Sequence, residues 1–251
     1  MKKYTSKNYF GEIFFEFAVH EGKRDAIILL PGFPSSNIME DIIYFFYEKG
    51  FNVFFPRYKG TFQSGGHFLK SNPTKDLSEF ISFLKKGKSL NLWDEKMVSF
   101  EIDKFYVFGT SFGGSIACSL AYVSEDVSKV VVGTPVWDYE SHNQEFNEQD
   151  LEKLTGFVKR SLKNIYRYDF KNLVDEMKRF KQFSFSFYKK NLKKPVLVFH
   201  DLNDNSISIE HSRKAEKEIK SVDLIETDTG HGLSIDLLNK YYPSIDKFLK
   251  D

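Results

Sequence analysis

The stretch that most constrains this 251-residue chain is Gly109-Thr110-Ser111-Phe112-Gly113-Gly114. It follows Phe105-Tyr106-Val107-Phe108, a short apolar run that predicts a buried strand. It precedes residues 115–122, whose small and apolar side chains predict a helix. A Gly-x-Ser-x-Gly between a strand and a helix is the pattern of a nucleophile elbow. The turn is so sharp that Ser111 is expected in a strained backbone conformation, with its hydroxyl pushed into a cleft. Side chains at positions 109 and 113 would collide with the neighbouring strand and helix. The helix N-terminus offers unpaired N–H groups and a positive dipole end to developing negative charge. Alone, the pattern arises by chance in about one chain in ten of this length, given glycine at roughly 7% of residues. The competing reading is a glycine-rich turn with a capping serine, so the weight falls on what lies downstream.

Residues 194–200 predict a second buried strand, running into the polar loop Asp201-Leu202-Asn203-Asp204-Asn205. Residues 221–226 predict a last strand, and Thr227-Asp228-Thr229-Gly230-His231-Gly232 follows, opening a final helix. The interval between Asp204 and His231 has room for one helix and one strand between two loops on the same sheet edge. Serine, acid and histidine in this order follow the chain order of the α/β-hydrolase triad. On these residues the chain resembles an α/β-hydrolase of the esterase and prolyl-oligopeptidase-like type, and the resemblance covers nearly its whole length.

The resemblance implies Ser111 as nucleophile, His231 as general base and Asp204 as the acid that orients it. Asp201 and Asp138 remain alternatives for the acid, because the usual Gly-x-x-Asp loop has Asp201 at its glycine position and the acid sometimes follows the preceding strand. An early strand over residues 25–30 leads into Pro31-Gly32-Phe33-Pro34-Ser35-Ser36. Family members usually carry His-Gly here, whereas this chain has Pro31 at the histidine position. By resemblance, the backbone N–H groups of Phe33 and Phe112 form the oxyanion hole. The implied reaction needs no cofactor and no metal, and its substrate is a small to medium carboxylic ester. A peptidase or thioesterase on the same fold is one alternative. A ligand-binding protein that has lost turnover is another.

Strands and helices alternate along most of the chain, which argues for a mostly parallel, twisted sheet with helices on both faces. Residues 8–20 predict early antiparallel strands. Ser36 or Asn37 is expected to cap a helix running through Glu48, and Asn72 or Thr74 a helix carrying Leu77, Phe80, Ile81 and Leu84. The alternation breaks between residues 134 and 191. There, Asn147 is expected to cap a helix with Leu151, Leu154, Phe157, Val158, Leu162 and Ile165 on one face, and a second helix carries Phe170, Leu173, Val174, Met177 and Phe180. The expected organisation is therefore a hydrolase core over residues 1–133 and 192–251, with a small helical cap, residues 134–191, inserted near the catalytic edge. At least one aromatic among Trp137, Phe157, Tyr166, Phe183, Phe185 and Phe187 is expected to border the pocket beside Ser111.

The length suits one domain with an insertion. A net charge of +1 gives no electrostatic case for nucleic acid or an anionic membrane. No apolar run is long enough to span a bilayer. Met1-Lys2-Lys3 resembles the start of a secretion signal, but Glu12 and Glu16 interrupt the only apolar stretch that follows. The single cysteine, Cys118, forms no internal disulfide, fits a reducing cytoplasm and reads as an inert core residue. Arg57 replaces an aspartate common in the loop after the next strand; it either shapes that loop or meets a substrate anion. His67 lies just beyond, with room to face the cleft, but is not expected to be catalytic. His200 reads as structural, and His20, His142 and His211 as surface positions. Sequence alone does not set the oligomeric state.

Overall fold

The computed structural model describes residues 5–35, 39–142, 146–169 and 171–251. Ten strands are found among them: β1 Ser6–Phe10, β2 Ile13–Ala18, β3 Lys23–Leu30, β4 Asn52–Pro56, β5 Lys88–Asn91, β6 Lys96–Ser99, β7 Glu101–Thr110, β8 Val127–Gly133, β9 Val196–Asp201 and β10 Val222–Thr227. Eight helices accompany them: α1 Glu40–Glu48, α2 Pro73–Leu84, α3 Phe112–Val123, α4 Leu151–Ser161, α5 Leu173–Arg179, α6 Phe185–Asn191, α7 Ile209–Glu218 and α8 Ile235–Lys250. Eight strands form one sheet in the order β1-β2-β4-β3-β7-β8-β9-β10. The β1–β2 and β2–β4 pairs are antiparallel, and every pair from β4 to β10 is parallel.

The central strands are apolar on both faces because both faces are covered. Ile28, Val107, Val130 and Val198 point into one core, against Leu77 and Phe80 of α2 and Ile116 and Leu120 of α3. Their neighbours Ile27, Phe108, Val131 and Leu197 point into the other, against Phe46 of α1 and Leu238 and Ile245 of α8. This is the two-residue period of a strand expressed across a sandwiched sheet. The pairing register aligns the strands' carboxyl ends: Leu30 lies beside Gly109, Thr110 beside Gly133, Gly133 beside Phe199, and Asp201 beside Thr227. The loops leaving β3, β7, β8, β9 and β10 therefore emerge at one edge, where sites form in such sheets.

Helix starts follow local chemistry. Asn72 caps α2 by accepting the Thr74 N–H, with Pro73 at the first helical position. Asp150, not Asn147, caps α4 by accepting the Lys153 N–H, and Phe157 is 47% exposed instead of facing inward with Val158. Val158 is buried in the core and Leu151, Leu162 and Ile165 pack against it, so Phe157 is the member of the predicted face that turns outward. Ser36, Asn37 and Phe170 lie outside the described residues.

A hairpin of β5 and β6 was not legible in the sequence. Its strands are short and polar, and its turn lacks the Asn-Gly or Asp-Gly signal. It is held from outside: Leu92 N–H donates to the Lys7 carbonyl, and Asn8 Nδ2 to Ser89 Oγ. Among the described residues no helix is long and apolar enough to cross a membrane.

Candidate active site

The elbow is built by close approach of backbone. Ser111 has φ 53° and ψ −117°, a conformation that costs a residue with a side chain about 1–3 kcal/mol. A Cβ on Gly109 would overlap the Gly113 carbonyl, and one on Gly113 would overlap the Leu30 and Pro31 carbonyls. The expected collisions at both glycines are thus real, and they are with main chain that cannot step aside. The turn is pinned by Ser111 N–H donating to the Gly133 carbonyl at 2.9 Å.

The loop after β3 lies directly against it. A Cβ on Gly32 would sit 3.4 Å from Ser111 Cβ. Phe33 and Phe112 line one cavity with Ser111, and among the described residues neither backbone N–H has a protein acceptor. Phe112 opens α3, where an N–H has no intrahelical partner. Pro31 is tied down through its carbonyl, which accepts from Tyr58 Oη at 2.9 Å. Tyr166 Oη accepts the Ser35 N–H at 2.9 Å on the other side of the loop.

His231 arrives on the loop after β10. Gly232, at φ +87°, packs so closely on Thr110 that a Cβ would overlap the threonine methyl. Leu233 N–H donates to Thr110 Oγ1 at 3.1 Å. His231 Nδ1 donates to Asp204 Oδ2 at 2.6 Å, and Thr134 Oγ1 lies 3.3 Å from the same nitrogen. The other carboxylate oxygen, Asp204 Oδ1, accepts the N–H groups of Ser206 at 2.7 Å and Ile207 at 3.1 Å. Burial of Asp204 opposes its ionisation, but the His231 hydrogen bond and charge and these two N–H groups outweigh it and hold the carboxyl below its ordinary value.

The two other carboxylates are elsewhere. Asp201 accepts Gly230 N–H at 2.6 Å and Asn203 N–H at 2.8 Å, so it braces the histidine loop from behind. Asp138 caps its own turn by accepting Glu140 N–H and lines a separate depression with Lys178 and Lys181. Among the described residues, no hydrogen bond joins Ser111 Oγ to His231; the two side chains share the cavity.

That cavity holds about 300 Å³. None of the six aromatics expected beside Ser111 lines it. Tyr139, Leu151, Leu154 and Met177 do so instead. Phe157 is exposed, and four of the other rings are consumed in packing. Trp137 is buried and donates to Ser212 Oγ, Phe183 packs on Phe112 and Tyr139, Tyr166 on Phe33 and Phe68, and Phe187 on Tyr122 and Tyr188. Hydropathy reports that a ring is buried, not which wall it is buried in. Tyr139 and Thr134 carried no motif that singled them out.

Arg57 does not reach the cavity. It is buried with its Nη2 2.5 Å from Glu16 and its guanidinium 3.7 Å above the Phe55 ring, joining β2 to β4. Its burial lowers its basicity, and Glu16 opposes that. His67 lies beside Asp169. His200 is buried between Ser212 Oγ and the Ile207 carbonyl, where desolvation first of all lowers its pKa. Cys118 is buried in α3, and burial pushes its thiol far above its ordinary pKa. The surface expectation fails for two histidines: His142 and His211 are both buried beside Glu148. His20 is half-buried, stacked on Tyr47.

No protein-family model matches the chain, and no curated protein matches it. Solved structures do. An esterase from Pyrococcus furiosus, Pf2001, is 19% identical with a TM-score of 0.65, over 95% of this chain and 87% of that one. Est1E from Butyrivibrio proteoclasticus, solved with ferulic acid bound, is 16% identical with a TM-score of 0.67, over 95% of each chain. Acetyl xylan esterase 1 from a Thermoanaerobacterium species is 16% identical with a TM-score of 0.63, over 94% of this chain and 79% of that one. With its mostly parallel eight-stranded sheet covered on both faces and aligned carboxyl edge, this chain has the α/β-hydrolase fold.

Proposed function

We propose that the protein is a serine hydrolase that cleaves small to medium carboxylic esters through Ser111, His231 and Asp204. The observation that carries this is the strained Ser111 turn in one cavity with a histidine whose Nδ1 is held by a buried carboxylate. Because Asp204 occupies Nδ1, the nitrogen left to take the serine proton is Nε2. Ser111 Oγ attacks the ester carbonyl carbon as His231 removes its proton. The carbonyl π electrons move onto oxygen, and the Phe33 and Phe112 N–H groups hold the resulting oxyanion. Losing one such donor typically costs about 3 kcal/mol. His231 then returns the proton to the departing alkoxide, leaving an acyl-enzyme. Water, activated by the same imidazole, releases the acid. Serine–histidine contacts of this kind are often long in an unliganded site and tighten with substrate.

In this reading residues 134–191 are a cap, since Leu151 and Leu154 of α4 and Met177 of α5 wall the cavity. The three esterases above share the fold and support the ester class. A cavity of about 300 Å³ suits a short or branched acyl group. The lone buried thiol agrees with a cytoplasmic enzyme.

The deciding experiment is active-site labelling. A fluorophosphonate should modify the protein once, at Ser111, and nitrophenyl acetate or butyrate should give a burst of nitrophenol. Labelling at another residue, or none with the folded protein, rejects the acyl-enzyme. Met177→Ala should move the optimum toward longer acyl chains while changing acetate turnover little. An unaltered chain-length profile would remove the cap from the substrate site.

A further inference from the structure

A second buried carboxylate lies behind the cavity wall, in contact with His142, which lines it. Glu148 lies between β8 and α4, and its side chain is only 1% exposed. Its Oε1 accepts the Ser208 N–H at 2.6 Å, and its Oε2 accepts from His211 Nε2 at 3.2 Å. His142 Nδ1 is 3.5 Å from the same Oε2, while His142 Nε2 lies 2.8 Å from the Gln149 carbonyl. The His142 ring is thus held between Glu148 on one nitrogen and the Gln149 carbonyl on the other. The Phe146 ring packs edge-on against His211.

Ser208 belongs to the same turn as the acid assigned above. Three consecutive N–H groups, of Ser206, Ile207 and Ser208, serve two carboxylates: the first two bind Asp204 and the third binds Glu148. The neighbouring backbone adds a further tie, since Gln149 N–H donates to the Ser206 carbonyl at 3.3 Å. His142, Gln149, Ser206 and Ile207 all line the cavity that holds Ser111 and His231. A buried charge is expensive, and one held by this many partners fixes its neighbours to each other. The turn that presents Asp204 is thus clamped from the cap side as well as from the sheet.

We propose that Glu148 is a positioning residue: through Ser208 it holds the Asp204–Ser208 turn in register, and so sets the Asp204–His231 bond. This rests on the triad reading above. If it is right, losing the clamp weakens the carboxylate's hold on the imidazolium that forms when Ser111 gives up its proton.

The test compares wild type, Glu148→Gln and Glu148→Ala as folded proteins, reading fluorophosphonate acylation and the pH dependence of ester turnover. Glutamine keeps a carbonyl oxygen for Ser208 N–H and removes the charge. Alanine removes both. Glu148→Ala should slow acylation by roughly 10–100-fold, the loss expected when an orienting group is displaced by a fraction of an ångström to an ångström. Its kcat should fall more than its KM rises. The acid-side limb of its pH profile, which reports the base that must be neutral to take the serine proton, should move to lower pH, because an imidazolium with a poorer carboxylate partner loses its proton more readily. Glu148→Gln should recover most of the rate. Equal behaviour of the two variants, with only a pH shift, would mean charge alone matters and would overturn positioning. So would a folded Glu148→Ala with wild-type rates and profile. Should Glu148→Ala not fold, Ser208→Pro replaces it with the same expectations; it removes the N–H that Glu148 accepts and also the hydroxyl that accepts Glu210 N–H at the start of α7, so it is read against Ser208→Ala, which removes the hydroxyl alone. Wild-type protein that fails to label at Ser111 rejects the triad itself, a result separate from any difference among variants.

Discussion

At φ 53° Ser111 holds its side chain in backbone space that glycine enters freely, so its hydroxyl is presented at the expense of stability. Ser111→Ala should keep the fold and lower turnover by roughly 10⁴–10⁶-fold, as with other triad deletions. Ser111→Gly should be equally inactive but more stable than Ser111→Ala by about 1 kcal/mol, because only the second keeps the strained Cβ. Urea unfolding of the two variants checks this, and a less stable glycine variant would contradict the strain. Asp204 makes a pH prediction. Its folded pKa lies below the ordinary 3.8, so its contribution is complete above that value and is lost as pH falls through the depressed one. Asp204→Asn keeps an oxygen for Ser206 and Ile207 but has no proton to take up. The stability difference between wild type and Asp204→Asn should therefore be constant near neutrality and shrink in acid below about pH 4. A difference that grows on acidification would mean that the carboxylate is not held as described.

Elements meet at this site through missing side chains, and not all glycines are alike. Gly113 faces main chain at the end of β3, while Gly156 sits within α4 with only the tip of Arg160 nearby, 3.3 Å from a Cβ. Gly113→Ala must displace the β3 carbonyls and with them the loop bearing Phe33, so it should destabilise by roughly 1–3 kcal/mol and impair acylation. Gly156→Ala relieves a helix interior of its poorest former short of proline and should stabilise by about 0.8 kcal/mol with activity unchanged. Thermal melts with ester assays on both variants test the pair. Similar effects from the two would show that backbone contact, not helix propensity, has been misjudged at one of them.

Across the whole molecule, the antiparallel edge is fastened to the parallel sheet by charge. Arg57 is buried in β4's exit and answered by Glu16 of β2, which also lies 3.5 Å from Lys7 of β1. Removing the carboxylate takes away the counter-charge of a buried guanidinium. Glu16→Gln should cost about 3–5 kcal/mol, far more than loss of a surface pair such as Lys250–Asp246. Chemical denaturation gives the measurement, and a loss below 1 kcal/mol would show that the remaining contacts of Arg57 hold it without the carboxylate.

The chain's own order of residues determined the sheet, its two covered faces and the edge at which Ser111, Asp204 and His231 gather, because these follow from local periodicity, turn chemistry and strand order. The Gly-x-Ser-x-Gly collisions were legible for the same reason: they act within a few residues. Tertiary structure alone decided the walls of the cavity and the partners of buried charge. Tyr139, Leu151, Leu154 and Met177 line the cavity while more conspicuous aromatics fill the interface behind it. Arg57 turned to Glu16 and not to the cleft, and His211, a polar residue in polar sequence, closed on Glu148 from 63 residues away to join His142 there. Burial, and the pairing that burial demands, depend on which distant segments meet. A single polar residue carries no local signature of a partner that only folding brings within reach.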